Sequence, residues 1–181
     1  MKVFLSYALS LLGLGLVTAA VLGGYAINLS YPGARLRLMN MLRTSANQAE
    51  IMCKAAKGTF YEPIGAAIKI AAMTQTTDLA ILVTATQPSY DGACVMVTMG
   101  WKKLFGRGKT GMMMVVAGLA LAITFKTSPI LHIIVAVLST GGAIWFLVMR
   151  SDNERSLMRA RAELLPEVDR AFAEGRYVRY G

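Results

Sequence analysis

Residues 3–34 read VFLSYALSLLGLGLVTAAVLGGYAINLSYPGA, without one charged side chain, and residues 110–149 read TGMMMVVAGLALAITFKTSPILHIIVAVLSTGGAIWFLVM, where Lys126 is the single charge. A hydrocarbon core of about 30 Å needs about 20 apolar residues per helix, so the first stretch holds one crossing helix and the second a hairpin of two. Composition agrees, since 55% hydrophobic and 16% charged residues is too apolar for a small soluble domain. The expected fold is an all-α membrane protein with three transmembrane helices, one plus a hairpin, together with a helical cytoplasmic segment and an amphipathic C-terminal tail. Its parts are residues 1–29 (transmembrane helix 1), 30–109 (cytoplasmic helical segment), 110–149 (transmembrane hairpin) and 150–181 (cytoplasmic tail).

A cleaved secretory signal would also open with a short basic start and an apolar run. Such cores extend over about 7 to 15 residues and this run is longer, so an uncleaved helix is expected. Lys and Arg close to membrane ends stay on the cytoplasmic side. The segment from Arg35 to Lys109 is rich in them, Arg150, Arg155, Arg159 and Arg161 follow the hairpin, and its far end carries Lys126 alone. The N-terminus is therefore expected outside and the C-terminus inside. The net charge of +9 has its source in these flanking residues, which makes membrane lipids with anionic headgroups the expected partners; nucleic acid is a poor second and no nucleic-acid partner is expected. Cys53 and Cys94 fall on the cytoplasmic side, where thiols stay reduced, and no third Cys or nearby His completes a metal site.

Along the chain, Gly13, Gly15, Gly23 and Gly24 mark a packing face on the first helix, because small residues let helices approach closely in lipid. Pro32 and Gly33 end the apolar run. Ser45 with Gln48 and Thr59 with Glu62 fit capping boxes, with Gly58 stopping the first helix and Pro63 in the first turn of the second. Residues 78–99 contain enough β-branched side chains to pass as strands. Helices are the preferred reading, with Pro88 separating two of them and Ser89 capping the second. Trp101, Lys102 and Lys103 then suit the membrane surface, as do Arg107 and Lys109.

The hairpin's first helix, Thr110 to Phe125, is about 24 Å long at roughly 1.5 Å per residue, short enough that Lys109 and Lys126 must extend toward opposite headgroups. Lys126, Thr127, Ser128 and Pro129 form the turn, and the return helix runs from Ile130 to Met149. Ser151 with Glu154 fits a further capping box opening the tail. There Leu157, Met158, Leu164, Leu165, Val168 and Phe172 recur near helical spacing, and Pro166 kinks or restarts the helix. That apolar stripe calls for a partner, most simply the cytoplasmic segment of this chain or of a neighbouring copy.

Candidate chemistry is sparse. Gly106, Arg107, Gly108, Lys109 and Thr110 approach the end of a phosphate-binding loop, but Lys103 stands where the first Gly is needed. His132, the only histidine, reads as an interfacial hydrogen-bonded residue rather than a relay or ligand, since no second ligand is near it in sequence. Met112, Met113 and Met114 point three ways around a helix and cannot form one ligand set. The spans contain no Asp, Glu or Arg, so any ion coupling must borrow its acidic group from another chain. No cofactor, metal or catalytic pair is expected, and an enzyme is the least supported class. The hairpin does offer a mildly polar set, Thr124, Ser139, Thr140, Gly141 and Gly142, for a pore or for helix packing.

The order of parts resembles the ExbB, TolQ and MotA family of bacterial inner-membrane motor subunits. The resemblance in sequence lies in Met41, Leu42, Arg43 through Ala49, Glu50 to Cys53, Ala55, Ala56, Gly58, Thr59 and Ile64 to Ile68, which look like the short cytoplasmic helices after the first span. It implies a bacterial inner-membrane location and several copies around a pore that encloses a single-span partner bearing the ion-carrying Asp, with Thr124 and Thr140 as pore-facing hydroxyls. Two departures stand against it. Val115 to Phe125 lacks the family's Gly- and Thr-rich signature, and Gly106, Gly108 and Gly111 interrupt a helix that there runs far into the cytoplasm. The preferred reading is a non-catalytic subunit that packs and scaffolds a larger membrane complex, such as a secretion machine, as a homo-oligomer or among other membrane subunits. The motor subunit is the alternative.

Overall fold

The computed structural model describes residues 2–126 and 128–177, and all their regular structure is helical. The helices are α1 (Lys2–Ile27), α2 (Tyr31–Thr44), α3 (Ala46–Ala55), α4 (Tyr61–Thr74), α5 (Leu79–Thr124), α6 (Ile130–Glu163) and α7 (Leu165–Ala173). Two stretches, within Val3–Thr44 and Ile130–Ala173, are long and apolar enough to cross a membrane. A soluble protein's core helix passes the same test when mostly buried, but here only 28% and 22% of the most apolar part is buried. The chain divides into two compact units, the first of residues 1–26 and 101–151 and the second of residues 27–100 and 152–181.

The second unit is built on amphipathic helices. Leu38 and Leu42 of α2, Ala46 and Ala49 of α3, Ile64, Ile68 and Ala71 of α4, and Leu164, Val168 and Phe172 around α7 are buried together. Helix α7 packs on α2, α3 and α4, so the apolar stripe of the tail is covered by this chain's own segment except at Met158, which is 75% exposed. Tyr31, Phe60 and Tyr61 meet edge to face at 4.7 to 5.0 Å between ring centroids, and the Tyr61 hydroxyl donates to the Ala34 carbonyl at 2.9 Å. Arg35 pairs with Glu163, and Arg161 with Asp91 at 3.0 Å. Asp169 sits buried beneath the Thr86 hydroxyl, which donates to it at 2.8 Å. Burial drives its carboxyl above the ordinary range against the opposing effect of that hydrogen bond.

Several local expectations are corrected. Residues 79–99 are helix, but Pro88 lies inside α5 and separates nothing. Ser89 caps no helix; its hydroxyl donates to the Ala66 carbonyl at 3.2 Å. A proline inside a helix loses one hydrogen bond and crowds the carbonyl four residues back. The surroundings hold the helix regardless, since Leu82, Thr86 and Tyr90 are buried beside it and the Tyr90 hydroxyl donates to the Leu157 carbonyl at 2.6 Å. Gly106, Gly108 and Gly111 do not interrupt α5 either. The string from Gly106 to Thr110 is therefore helix, which leaves no loop amides to cradle a phosphate.

Ser151 and Glu154 open no new helix, because α6 passes through them to Glu163, and amides in a helix already under way have carbonyl partners. Ser45 precedes α3 but makes no side-chain cap; its carbonyl accepts from Gln48 instead. Thr59 and Glu62 act as a divided pair: the Thr59 hydroxyl accepts from the Tyr61 amide, and the Glu62 carboxylate from the Gly58 amide at 2.6 Å. Pro32 starts α2 and Pro166 starts α7, where a missing amide hydrogen does little harm. In the hairpin turn Lys126 has a positive φ of 51°; Thr127 lies outside the described residues.

Candidate functional site

The first unit comprises α1, the α5 stretch from Trp101 and α6 as far as Arg150. In α1 the buried positions are Ser6, Ser10, Gly13, Val17, Ala20 and Gly24, alternating four and three residues apart, which is the heptad seam of closely packed helices. Helix α5 answers with Gly111, Val115, Gly118 and Ala122, and α6 with His132, Val135, Ser139, Phe146 and Met149. These inward residues are mostly small or polar. The large apolar ones point outward: Phe4, Leu12, Leu22, Val116, Ile123 and Val137 are all more than half exposed.

Small residues bring the backbones into contact. A Cβ on Gly13 would stand 2.5 Å from the Gly111 carbonyl oxygen and 2.8 Å from the Val115 amide nitrogen, and one on Gly111 only 2.6 Å from the Gly13 oxygen. One on Gly118 would meet the Ser6 oxygen at 2.9 Å and would overlap the Ser10 hydroxyl. Only glycine permits this approach. On the other side of α1, Gly142 lies against Val17 and Val21, and Gly24 against Phe146 and Trp101.

Ser10 is where all three helices meet. Its Oγ lies 2.7 Å from His132 Nδ1, and the imidazole stacks on Tyr7 with 4.7 Å between ring centroids. Ser10 and His132 are both enclosed. The hydroxyl donates to Nδ1 in the tautomer carrying its proton on Nε2, and accepts from Nδ1–H in the other. His132 Nε2 and Ser139 Oγ are buried without a hydrogen-bond partner. The histidine is thus hydrogen-bonded, as its sequence position suggests, and its partner lies in the helix packing. Sequence reasoning missed Ser6, Tyr7 and Ser10, although the 4–3 recurrence from Ser6 to Gly24 is a signal that exposes that face.

The polar set of the hairpin does not share one face. Ser139 is buried and Gly142 half-buried, whereas Thr124, Thr140 and Gly141 are exposed. The Thr124 and Thr140 hydroxyls donate to the carbonyls one turn back, Ala120 and Ala136, each at 2.8 Å. Lys102, Lys103, Arg107 and Lys109 are exposed on α5, and the Arg150 guanidinium lies over the Phe105 ring at 5.4 Å. Trp101 is corrected from surface anchor to core: it is 1% exposed, tilted against Phe146. Among the described residues no three His, Cys, Asp or Glu gather to hold a metal. In the second unit Cys53 and Cys94 are free thiols. Burial first, then Glu50, pushes Cys53 up to about 12, and burial also raises Cys94. Compared with known proteins, the chain matches no family model, no curated protein and no solved structure.

Proposed function

We propose that this chain is a non-catalytic integral membrane subunit that packs and scaffolds a larger multi-protein complex in a bacterial inner membrane. The observation that carries the reading is the inverted packing of the first unit, with glycines and hydroxyls inside and large apolar side chains outside. In water that arrangement exposes the very surface folding should hide. In lipid it is the expected one, because the surrounding acyl chains are as apolar as leucine and close packing of small residues holds the helices. Residues 110–124 of α5 are the third crossing. They lie backbone to backbone with α1 from Ser6 to Val17, so a membrane that surrounds one surrounds both. The basic residues between Arg35 and Lys109 and after the last apolar stretch support an orientation with the N-terminus outside and the C-terminus in the cytoplasm.

A motor-subunit reading gains from one observation. Helices α5 and α6 run unbroken for 46 and 34 residues, as the family resemblance implies, so the glycine interruption that stood against it falls away. Exposed Thr124 and Thr140 remain free to line a pore between copies. Purification in mild detergent with identification of co-purifying chains separates the two. Several unrelated subunits at fixed stoichiometry support the scaffold; a homo-oligomer with a single-span protein carrying a membrane Asp supports the motor. A lone monomer that retains its fold contradicts both.

A further inference from the structure

Among the described residues Asp169 is the one buried side chain that carries a formal charge, at 3% exposure. Its carboxyl takes a hydrogen bond from the Thr86 hydroxyl and has no ion pair. The two arginines that share its surroundings are engaged elsewhere, Arg161 with Asp91 at 3.0 Å and Arg170 with Glu167 at 3.5 Å. Burying a carboxylate with no cation beside it is costly, and burial is what raises this group above the ordinary range. An apolar side chain would remove that cost, so the carboxyl calls for a reason beyond packing, and a perturbed acid in a cleft marks a candidate binding site.

Asp169 forms part of the wall of a hollow of about 530 Å³ between the start of α5, the end of α6 and α7. Small-molecule sites usually measure about 300 to 1,000 Å³ and are mostly apolar with a few polar groups. Here Leu79, Val83, Met158 and Leu165 supply the apolar surface, and Leu79 and Met158 stand exposed along it. A fitting ligand brings positive charge for Asp169 and hydrocarbon for these side chains. A bare metal ion does not fit, because among the described residues no three His, Cys, Asp or Glu gather to hold one. An anion fits no better, since Arg161 and Arg170 already have carboxylate partners and Asp169 would repel it.

We propose that this hollow binds a small organic ammonium ion, its N–H groups donating to Asp169 and its hydrocarbon lying against Leu79, Val83, Met158 and Leu165. Hydrogen bonds between two charged groups are about twice as strong as neutral ones, which sets such a cation apart from a neutral molecule of the same shape. Every residue named belongs to the second unit, so the site goes beyond the scaffold reading and does not depend on it.

Met158 lines the hollow, so its methyl group reports on it when the methionines carry carbon-13 methyls; the Met158→Leu chain identifies its resonance. The full chain in mild detergent is titrated near pH 7 with n-butylammonium chloride and, separately, with n-butanol, which keeps the hydrocarbon and lacks the charge. The Met158 methyl should shift saturably, reaching half its change at about tenfold less of the ammonium than of the alcohol. Asp169→Asn should remove most of that preference. Asp152→Asn, which alters an exposed carboxylate that is no part of the wall, should keep it. No saturable shift with the ammonium, an equal response to both probes, or a preference that survives Asp169→Asn overturns the proposal.

Discussion

Replacing Gly13 with Ala tests the backbone contact between α1 and α5. The added Cβ would meet a carbonyl oxygen at 2.5 Å and an amide nitrogen at 2.8 Å, whereas ordinary contact begins at 3.4 Å. No side-chain rotation relieves a clash with backbone, so the helices must separate by about 0.9 Å. A gap of that size forfeits a quarter to a half of each dispersion contact along the seam, and overpacking of this kind costs about 1 to 3 kcal/mol. Gly15, two residues away on the same helix, has nothing within 4 Å of a new Cβ. There alanine should gain up to about 1 kcal/mol from its better helix propensity. The propensity gain is common to both positions, so unfolding in mixed micelles of rising SDS fraction, followed by far-UV circular dichroism, should place Gly13→Ala about 1 to 3 kcal/mol below Gly15→Ala. Equal stabilities within about 0.5 kcal/mol would refute the close approach.

A double-mutant cycle of Ser10→Ala and His132→Phe in the same assay should give a coupling of about 0.6 kcal/mol and at most about 1.7, the average and the maximum for interhelical hydrogen bonds in lipid; additive effects would exclude that bond. Tyr90→Phe should cost about 0.5 to 1.5 kcal/mol, the net worth of the bond its hydroxyl adds to the Leu157 carbonyl, with no change if the hydroxyl is not bonded there. Asp169 has a raised carboxyl pKa caused first by burial, so the folded state favours the protonated form and stability is lost as pH rises from about 3.9, the unfolded value, through the folded value. Asp169→Asn should accordingly raise the Tm of the second unit at pH 7 and lose that advantage below about pH 4; a constant difference across this range would contradict the assignment. Cys53, buried and pushed up to about 12, should resist alkylation of the native chain at pH 8 and react once unfolded, as intact-mass measurement will read.

Much of the helical layout was legible because it follows from charge and punctuation. The uncharged stretches, the apolar tail stripe and the helix start at Pro166 needed no tertiary information. Pro88 and the Ser151 to Glu154 box misled because both are local signals. A proline penalty of about 3 kcal/mol is outweighed when Leu82, Thr86 and Tyr90 are packed around it, and a capping pattern has no effect inside a continuing helix. Trp101 carried an interfacial signal by composition alone, yet Gly24 leaves a space that its ring fills beside Phe146. The pairing of Ser10 with His132, 122 residues apart, has no local signature. Only the register of α1 against α6 creates it.

The most direct test of the three-crossing arrangement is side-specific thiol labelling of a chain carrying Cys53→Ala and Cys94→Ala. Single cysteines are placed at exposed Ser128, in the hairpin turn, and at exposed Gly106, which has open space around its Cα. With a membrane-impermeant maleimide on intact spheroplasts, Ser128→Cys should label at once and Gly106→Cys only after permeabilisation. Labelling of both from the same side would contradict the third crossing, and the reverse pattern would contradict the orientation.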